Sequence, residues 1–248
     1  MSRVRFPAAL LPAVVVLVAA VAPAGSAAAP GADVDRATKP AGKAHDASHT
    51  PTVARLQYGG GGDWYANPSS LPNLLEAIRE RTGIPVADRE TVVTPLDPEL
   101  RDYPFLHMTG HGNVAFTDEE RRALRAHLES GGFLHADDNF GMDEAFRREM
   151  ELLFPDRPLV ELPPDHPVFH VFYEFPEGLP KIHEHTGAPA QAFGIFHEGR
   201  LVVFYSFESD LGNGWEDEAV HDSPPELREE ALRMGVNLFV YAMSGMVR

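Results

Sequence analysis

Apolar positions in the first half of the chain form two patterns, a helical spacing and short continuous runs, which together predict alternating helices and strands. One set recurs at i, i+3, i+4 and i+7, which is typical of an amphipathic helix: Leu71, Leu74, Leu75 and Ile78. Gly83 marks the end of this helix. Short apolar runs between helical segments predict strands at 54–58, 91–93, 105–108 and 133–136.

Two further helices are predicted between these strands. Thr117 and Glu120 have the spacing of a capping box, which predicts the start of a helix that runs to Gly131 and Gly132. Residues 142–154 also have a helical pattern. Repeated strand–helix units favour a mainly parallel sheet that is covered by helices.

The second half of the chain has a different pattern. Residues 168–175 alternate and predict a strand, and the runs 193–196 and 201–205 flank Gly199, which predicts an antiparallel hairpin. Ser223 to Glu226 reads as a capping box with proline at the first helical position, and it opens a last helix through Tyr241.

The N-terminal region predicts an exported protein. Residues 1–28 combine a basic start, an apolar run and small residues before Ala29, as a cleavable signal peptide does. The alternative is an uncleaved anchor, since the apolar run is nearly long enough to span a bilayer. Residues 29–52 predict a disordered linker, and 53–245 one folded domain without a membrane span after signal cleavage.

The net charge and the cysteine content exclude several classes of partner and of chemistry. The chain has a formal net charge of −16, which argues against nucleic acid or an anionic membrane as a partner. It contains 0 cysteines, so neither disulfides nor thiol chemistry are available. These exclusions leave a small polar ligand or a protein of the cell envelope as the partner.

Polar residues follow several of the predicted strands. In parallel α/β sheets, ligands bind outside the carboxyl ends of the strands, so these residues are expected to border one crevice. The candidates are Asp63, Trp64, His111, His135, Asp137, Asp138, Asn139 and Asp210. Strand alternation sends Asp137 and Asp138 to opposite sides, so one could face the crevice while Asp138 or Asn139 caps the next helix.

Each candidate also has a structural interpretation. Gly59–Gly62 fits a tight turn as well as an anion-binding loop, and Trp64 could cover the core or stack on a sugar. His107 fits an interior histidine. The only cofactor the residue types suggest is a divalent metal, with His111, Asp137, His166 and Asp210 as candidate ligands, but they have no recognisable metal-ligand spacing.

Several stretches closely resemble a bacterial domain-of-unknown-function family, number 4159. They include RLQYGGGGDWYANPSSLPNLL, the segment around GGFLHADDNFGMD, DHPVF and GRLVVFYSFESDLGNGW. The resemblance implies membership of the class I glutamine amidotransferase-like superfamily and a flavodoxin-like three-layer α/β/α sandwich. That superfamily places a cysteine nucleophile on an elbow that falls at about Asp137 here, so a carboxylate replaces it and thiolate attack is excluded.

Three function classes follow. The first is a non-catalytic ligand- or partner-binding module of the cell envelope, and the second is a metal- or carboxylate-dependent hydrolase that uses the same crevice. The third is a serine hydrolase based on Ser206 or Ser209, which lacks a G-x-S-x-G elbow. The binding module is the preferred hypothesis.

Overall fold

The computed structural model describes residues 50–246. The predicted signal peptide and most of the predicted linker lie outside these residues. At the end of that linker, Pro51 accepts a hydrogen bond from the N–H of Ala87 (3.0 Å), and the Thr52 hydroxyl donates to the carbonyl of Arg89 (2.9 Å). The packed chain therefore begins slightly before Val53.

Within the described residues, seven strands form one sheet. They are β1 (Val53–Leu56), β2 (Thr91–Val93), β3 (Phe105–Gly110), β4 (Phe133–Asp138), β5 (Val160–Glu161), β6 (Gln191–His197) and β7 (Arg200–Phe207). Their order is β2-β1-β3-β4-β7-β6-β5. The pairs from β2 to β7 are parallel, whereas β6 runs antiparallel to β7 and β5.

The α-helices are α1 (Ser70–Thr82), α2 (Asp118–Glu129), α3 (Asp143–Leu153), α4 (Leu211–Trp215), α5 (Glu218–His221) and α6 (Pro225–Ser244). Helices α1, α4 and α6 pack on one face of the sheet around the fully buried Trp215. Helices α2 and α3 cover the other face. Alternation along β4 supplies both cores, with Phe133 in the first and Leu134 in the second.

This architecture confirms the predicted flavodoxin-like α/β sandwich, with a mainly parallel sheet and a late antiparallel hairpin. The capping box of Thr117 and Glu120 is formed, and Gly83 ends α1 in a left-handed conformation. Gly199, with a φ of 78°, lies at the turn of the predicted hairpin. Among the described helices, none is both long and apolar enough to cross a membrane.

The strand predicted at 168–175 is wrong. Pro167–Phe169 forms a 3₁₀ turn, in which His166 Nδ1 accepts a hydrogen bond from the N–H of Val168 (3.2 Å). The side chain of Asn237 on α6 then bonds both the N–H and the carbonyl of Tyr173, each at 2.8 Å. An asparagine therefore satisfies backbone groups that a neighbouring strand would otherwise pair.

Two predicted boundaries also change. Helix α6 has Pro224 at its N-cap with no side-chain cap, so the box predicted at Ser223 does not form. Strand β4 extends through Asp138, so Asp137 and Asp138 are its last residues rather than the loop after it.

Candidate binding crevice

Strand order predicts a ligand-binding crevice at the carboxyl ends of β1 and β3. Because β2 and β3 flank β1, the order reverses between β1 and β3, which is where ligands bind in doubly wound sheets. Residues 59–67 follow β1 and 111–115 follow β3; residues 139–141 and 208–210 follow β4 and β7 at the same edge. We call the space they border the crevice.

Asp63 and His111 meet across this switch point. Asp63 accepts hydrogen bonds from the backbone N–H of His111 and from its ring Nδ1, the latter at 3.0 Å. The side chains are 34% and 53% exposed, so both reach solvent. Partial burial would raise the pKa of Asp63, but the hydrogen bonds from His111 outweigh it and hold the pKa below its ordinary value.

This contact fixes the orientation of the His111 ring. An ionised carboxylate only accepts hydrogen bonds, so Nδ1 of His111 is the donor to Asp63. In the neutral ring, Nε2 is then a bare acceptor, and it has no hydrogen-bond partner among residues 50–246. His111 therefore offers an oriented acceptor to a molecule in the crevice.

The glycine loop after β1 is packed against the loop after β3. The N–H of Gly62 donates to the carbonyl of Asn113 (3.0 Å), and Gly59 accepts from Ala115 (2.9 Å). A Cβ at Gly62 would lie 2.7 Å from the Asn113 carbonyl oxygen, so this position needs glycine. A tight structural turn, the first of the two interpretations given for Gly59–Gly62, is enough to explain glycine at this position.

Residues 63–67 are tied down at both ends. The buried guanidinium of Arg55 donates to the carbonyls of Ala66 (2.7 Å) and Asn67 (3.1 Å). The side chains of Asn67 and Asn139 exchange two hydrogen bonds, at 2.9 and 3.3 Å. This loop is therefore preformed, and it presents Tyr65 at 63% exposure while Trp64 packs partly on the core.

Asp137 does not face the crevice. It is fully buried and accepts hydrogen bonds from the Ser206 hydroxyl and from the N–H groups of Leu211 (3.2 Å) and Gly212 (2.7 Å). The last two belong to the first turn of α4. The predicted crevice-facing role is wrong, because this carboxylate anchors α4 to β4.

His135 belongs to a buried hydrogen-bond chain that ends at Asp137. Ser206 donates to Asp137, so its oxygen accepts from Nε2 of His135 (3.0 Å). A neutral His135 then accepts at Nδ1 from Nδ1 of His107 (3.1 Å). Burial lowers the pKa of His135 to about 3 and that of His107 as well, so both rings stay neutral.

Asp138 and Asn139 divide their roles differently from the prediction. Asp138 accepts from the N–H groups of Phe140 (3.1 Å) and Met142 (2.9 Å), and so shapes the turn before α3. Asn139 does not cap α3, because its amide is bonded to Asn67. The tight turn lies at Phe140 and Gly141, with φ of 96° and 89°, and not at Asp137.

Phe140 is unusual in both conformation and exposure. A positive φ is rare for a bulky side chain and costs about 1–3 kcal/mol. Its side chain is 49% exposed, and its ring stacks on that of His185 with centroids 4.9 Å apart and planes 18° apart. A strained aromatic residue thus stands at the border of the crevice.

His185 is a residue that the sequence analysis did not identify. Its Nε2 lies 3.2 Å from Asp210 Oδ2, and its side chain is 12% exposed. It lies in an irregular loop, 25 residues before Asp210, so no local pattern marks it. Burial, followed by the charge of His183, lowers the pKa of His185.

Asp210 and Asp137 are neighbouring buried carboxyl groups. Burial raises the pKa of Asp137 to about 6, whereas burial together with the charge of Asp137 raises that of Asp210 to about 8. Asp137 has three donors, but Oδ1 of Asp210 has no hydrogen-bond partner in the described part of the chain. The raised pKa values of both groups indicate that the pair retains a proton near neutral pH.

The candidate metal ligands do not converge. His166 packs against the rings of Phe196 and Tyr241, and Tyr241 contacts Phe133 at the amino end of β4, opposite the crevice. Across residues 50–246, no group of three or more His, Asp or Glu is arranged to hold a metal ion.

The two candidate serine nucleophiles are inaccessible. Ser206 and Ser209 are fully buried, and the Ser209 hydroxyl donates to the carbonyl of Pro180 (2.6 Å). A nucleophile must reach its substrate, so neither serine can act in this conformation.

Comparison with known proteins identifies a family for this chain. A family model described as a domain of unknown function (DUF4159) matches residues 52–243. A search of curated proteins found no match.

Proposed function

The chain belongs to the DUF4159 family of domains of unknown function, and we propose that it is an exported, non-catalytic module that binds a small polar ligand in the crevice. The observation that carries the proposal is the exposed Asp63–His111 pair at the strand-order reversal.

Three features support binding without covalent catalysis. The sequence contains no cysteine, and Asp137, near the position where the superfamily that the sequence resembles carries its nucleophile, is buried under α4. Ser206 and Ser209 are buried as well. In contrast, the loop that carries Asp63 is held in place by Arg55 and Asn139, which limits the entropy lost when a ligand binds.

Export is the second part of the proposal. The basic start, apolar run and small residues of 1–28 support secretion, after which the domain would act in the cell envelope. A relationship to the glutamine amidotransferase-like superfamily would make it a member that kept the crevice and lost the thiol. An envelope protein that presents a polar group to His111 is compatible with the same site.

A second candidate function is a carboxylate-dependent hydrolase. The observation in its favour is that Asp63 orients His111 and leaves Nε2 bare, as in a general base that activates water. Turnover of a bound compound that disappears in His111→Ala would favour this function over binding alone.

The binding proposal predicts that His111→Ala lowers the affinity for the ligand at least tenfold and leaves the fold intact. A thermal-shift screen of neutral sugars, amino acids, polyols and nucleosides would supply the ligand. At a concentration ten times its Kd, such a ligand should stabilise the wild type by about 1.4 kcal/mol. Calorimetric titration of both proteins gives the ratio of their affinities.

His197→Ala is the matched control, since His197 lies at the β6–β7 turn and its β partner is Arg200, the first residue of β7. This variant should bind like the wild type. Equal binding by His111→Ala and the wild type would place the ligand elsewhere and contradict the proposal, as would a screen that finds no stabilising compound.

A further inference from the structure

Two exposed aromatic side chains border the crevice. Tyr65 is 63% exposed and follows Asp63 in a turn closed by a hydrogen bond from Ala66 to Asp63 (2.8 Å). Phe140 is 49% exposed and adjoins Asn139. Exposed single aromatic residues are common, but these two belong to loops that are bonded to each other at the candidate site.

The Asn67–Asn139 amide pair limits the distance between the two loops that carry the rings. Tyr65 lies two residues before Asn67, and Phe140 follows Asn139 directly. With about 3.8 Å between consecutive Cα atoms and about 4 Å of reach for each asparagine side chain, the Cα atoms of Tyr65 and Phe140 lie within about 22 Å. A short oligomeric ligand can span that distance.

The loops that carry both rings are held before any ligand arrives. Arg55 fixes the loop of Tyr65, and Phe140 is fixed by the Asp138 turn and by stacking on His185. Glycine would occupy the φ of 96° at Phe140 without strain, so stability alone does not explain an aromatic residue there. A rigid, exposed aromatic ring gives contact area at little entropic cost.

The polar groups favour a ligand rich in hydroxyl groups. In its neutral form, the Asp63-bonded His111 ring presents Nε2 as an acceptor, which pairs with a ligand O–H or N–H. The net charge of −16 and the nearby carboxylates disfavour phosphates and other anions. The C–H faces of a sugar ring pack on the electron-rich face of an aromatic ring.

From this combination we infer that the ligand is a neutral or amino-sugar oligosaccharide, stacked on Tyr65 and Phe140 and hydrogen-bonded to His111. This inference rests on the proposed binding function and names the ligand class of the same crevice.

Calorimetric titration of the purified protein with tetrasaccharides tests the inference. The probes are β-1,4-linked tetramers of glucose, N-acetylglucosamine and glucosamine, an α-1,4-linked glucose tetramer, and tetragalacturonate as an anionic comparison. At least one neutral or amino-sugar tetramer should bind with a Kd below about 1 mM. Tetragalacturonate should bind at least tenfold more weakly than that tetramer.

Tyr65→Ala and Phe140→Ala should each lower the affinity for this tetramer at least fivefold. Phe140→Gly should lose affinity equally but melt at or above the wild-type temperature, because it removes both the ring and the strain. Phe172→Ala is the matched control, since Phe172 is 44% exposed and lies outside the crevice loops, and it should bind like the wild type.

The failures of the two proposals are distinguishable. If no tetramer binds but another polar compound binds through His111, the binding function stands and the sugar inference is overturned. If a tetramer binds equally well to the Tyr65 and Phe140 variants, the aromatic platform is overturned. If no tetramer and no screened compound binds, both proposals are overturned.

Discussion

Asp137→Asn is expected to lower the free energy of unfolding by about 3 kcal/mol, because an amide cannot accept all the hydrogen bonds that converge on this buried carboxylate. Its oxygen can stay with Ser206 and Leu211, but its NH₂ group then faces the N–H of Gly212. Urea denaturation at pH 7 measures the loss. A carboxylate that faced an open crevice would instead lose charge repulsion and gain stability.

Asp88→Asn is the control for this measurement. Asp88 is 93% exposed and forms an ion pair with Arg79 (3.0 Å), so its replacement should change stability by less than about 0.5 kcal/mol. A stability of Asp137→Asn equal to that of Asp88→Asn would refute the role of Asp137 as the anchor of α4.

Stability should be greatest near pH 6–7 and should fall by about 2 kcal/mol towards pH 8. The pKa of Asp210 is raised from 3.8 to about 8 in the folded protein, so the folded state holds a proton that the unfolded chain releases from about pH 4 upwards. This contribution is therefore lost as the pH rises through about 8. Below pH 6.5 the free energy of unfolding falls as the pH is lowered, because the buried histidines His107 and His135 take up protons only in the unfolded chain.

Asp210→Asn should remove most of the alkaline loss, since its side chain stays uncharged at every pH. Asparagine also tolerates the left-handed conformation of this residue, whose φ is 63°. Asp222→Asn is the matched control, because Asp222 has a φ of 51° but lies exposed on the surface. Urea titrations from pH 5 to 8.5 compare the three proteins. An unchanged alkaline loss in Asp210→Asn would exclude Asp210 as its source.

The fold could be predicted where periodic patterns are long. The spacing of Leu71 to Ile78 specifies α1, and the capping box at Thr117 specifies the start of α2. Strand β5 has only two residues and α4 only five, so neither carries a detectable period. The alternation of 168–175 misleads because Asn237, far along the chain, bonds the backbone there.

The crevice was predictable only in part. Asp63 and His111 could be paired because the carboxyl ends of neighbouring parallel strands meet at one edge of a sheet. The burial of Asp137 could not, since it depends on N–H groups of a short helix 74 residues later. His185 was missed because its contact with Asp210 joins an irregular loop to the N-cap of α4.

The two ends of the sheet have a consequence for self-association. An unpaired edge strand can recruit a strand from another molecule, and long apolar edges therefore promote aggregation. Here β2 has three residues and β5 has two, although each exposes a valine, Val92 at 46% and Val160 at 40%. The two edge strands present too few unpaired backbone N–H and C=O groups to pair with a strand of another molecule. This acidic domain should therefore stay monodisperse at concentrations at which a sheet with longer edges would polymerise.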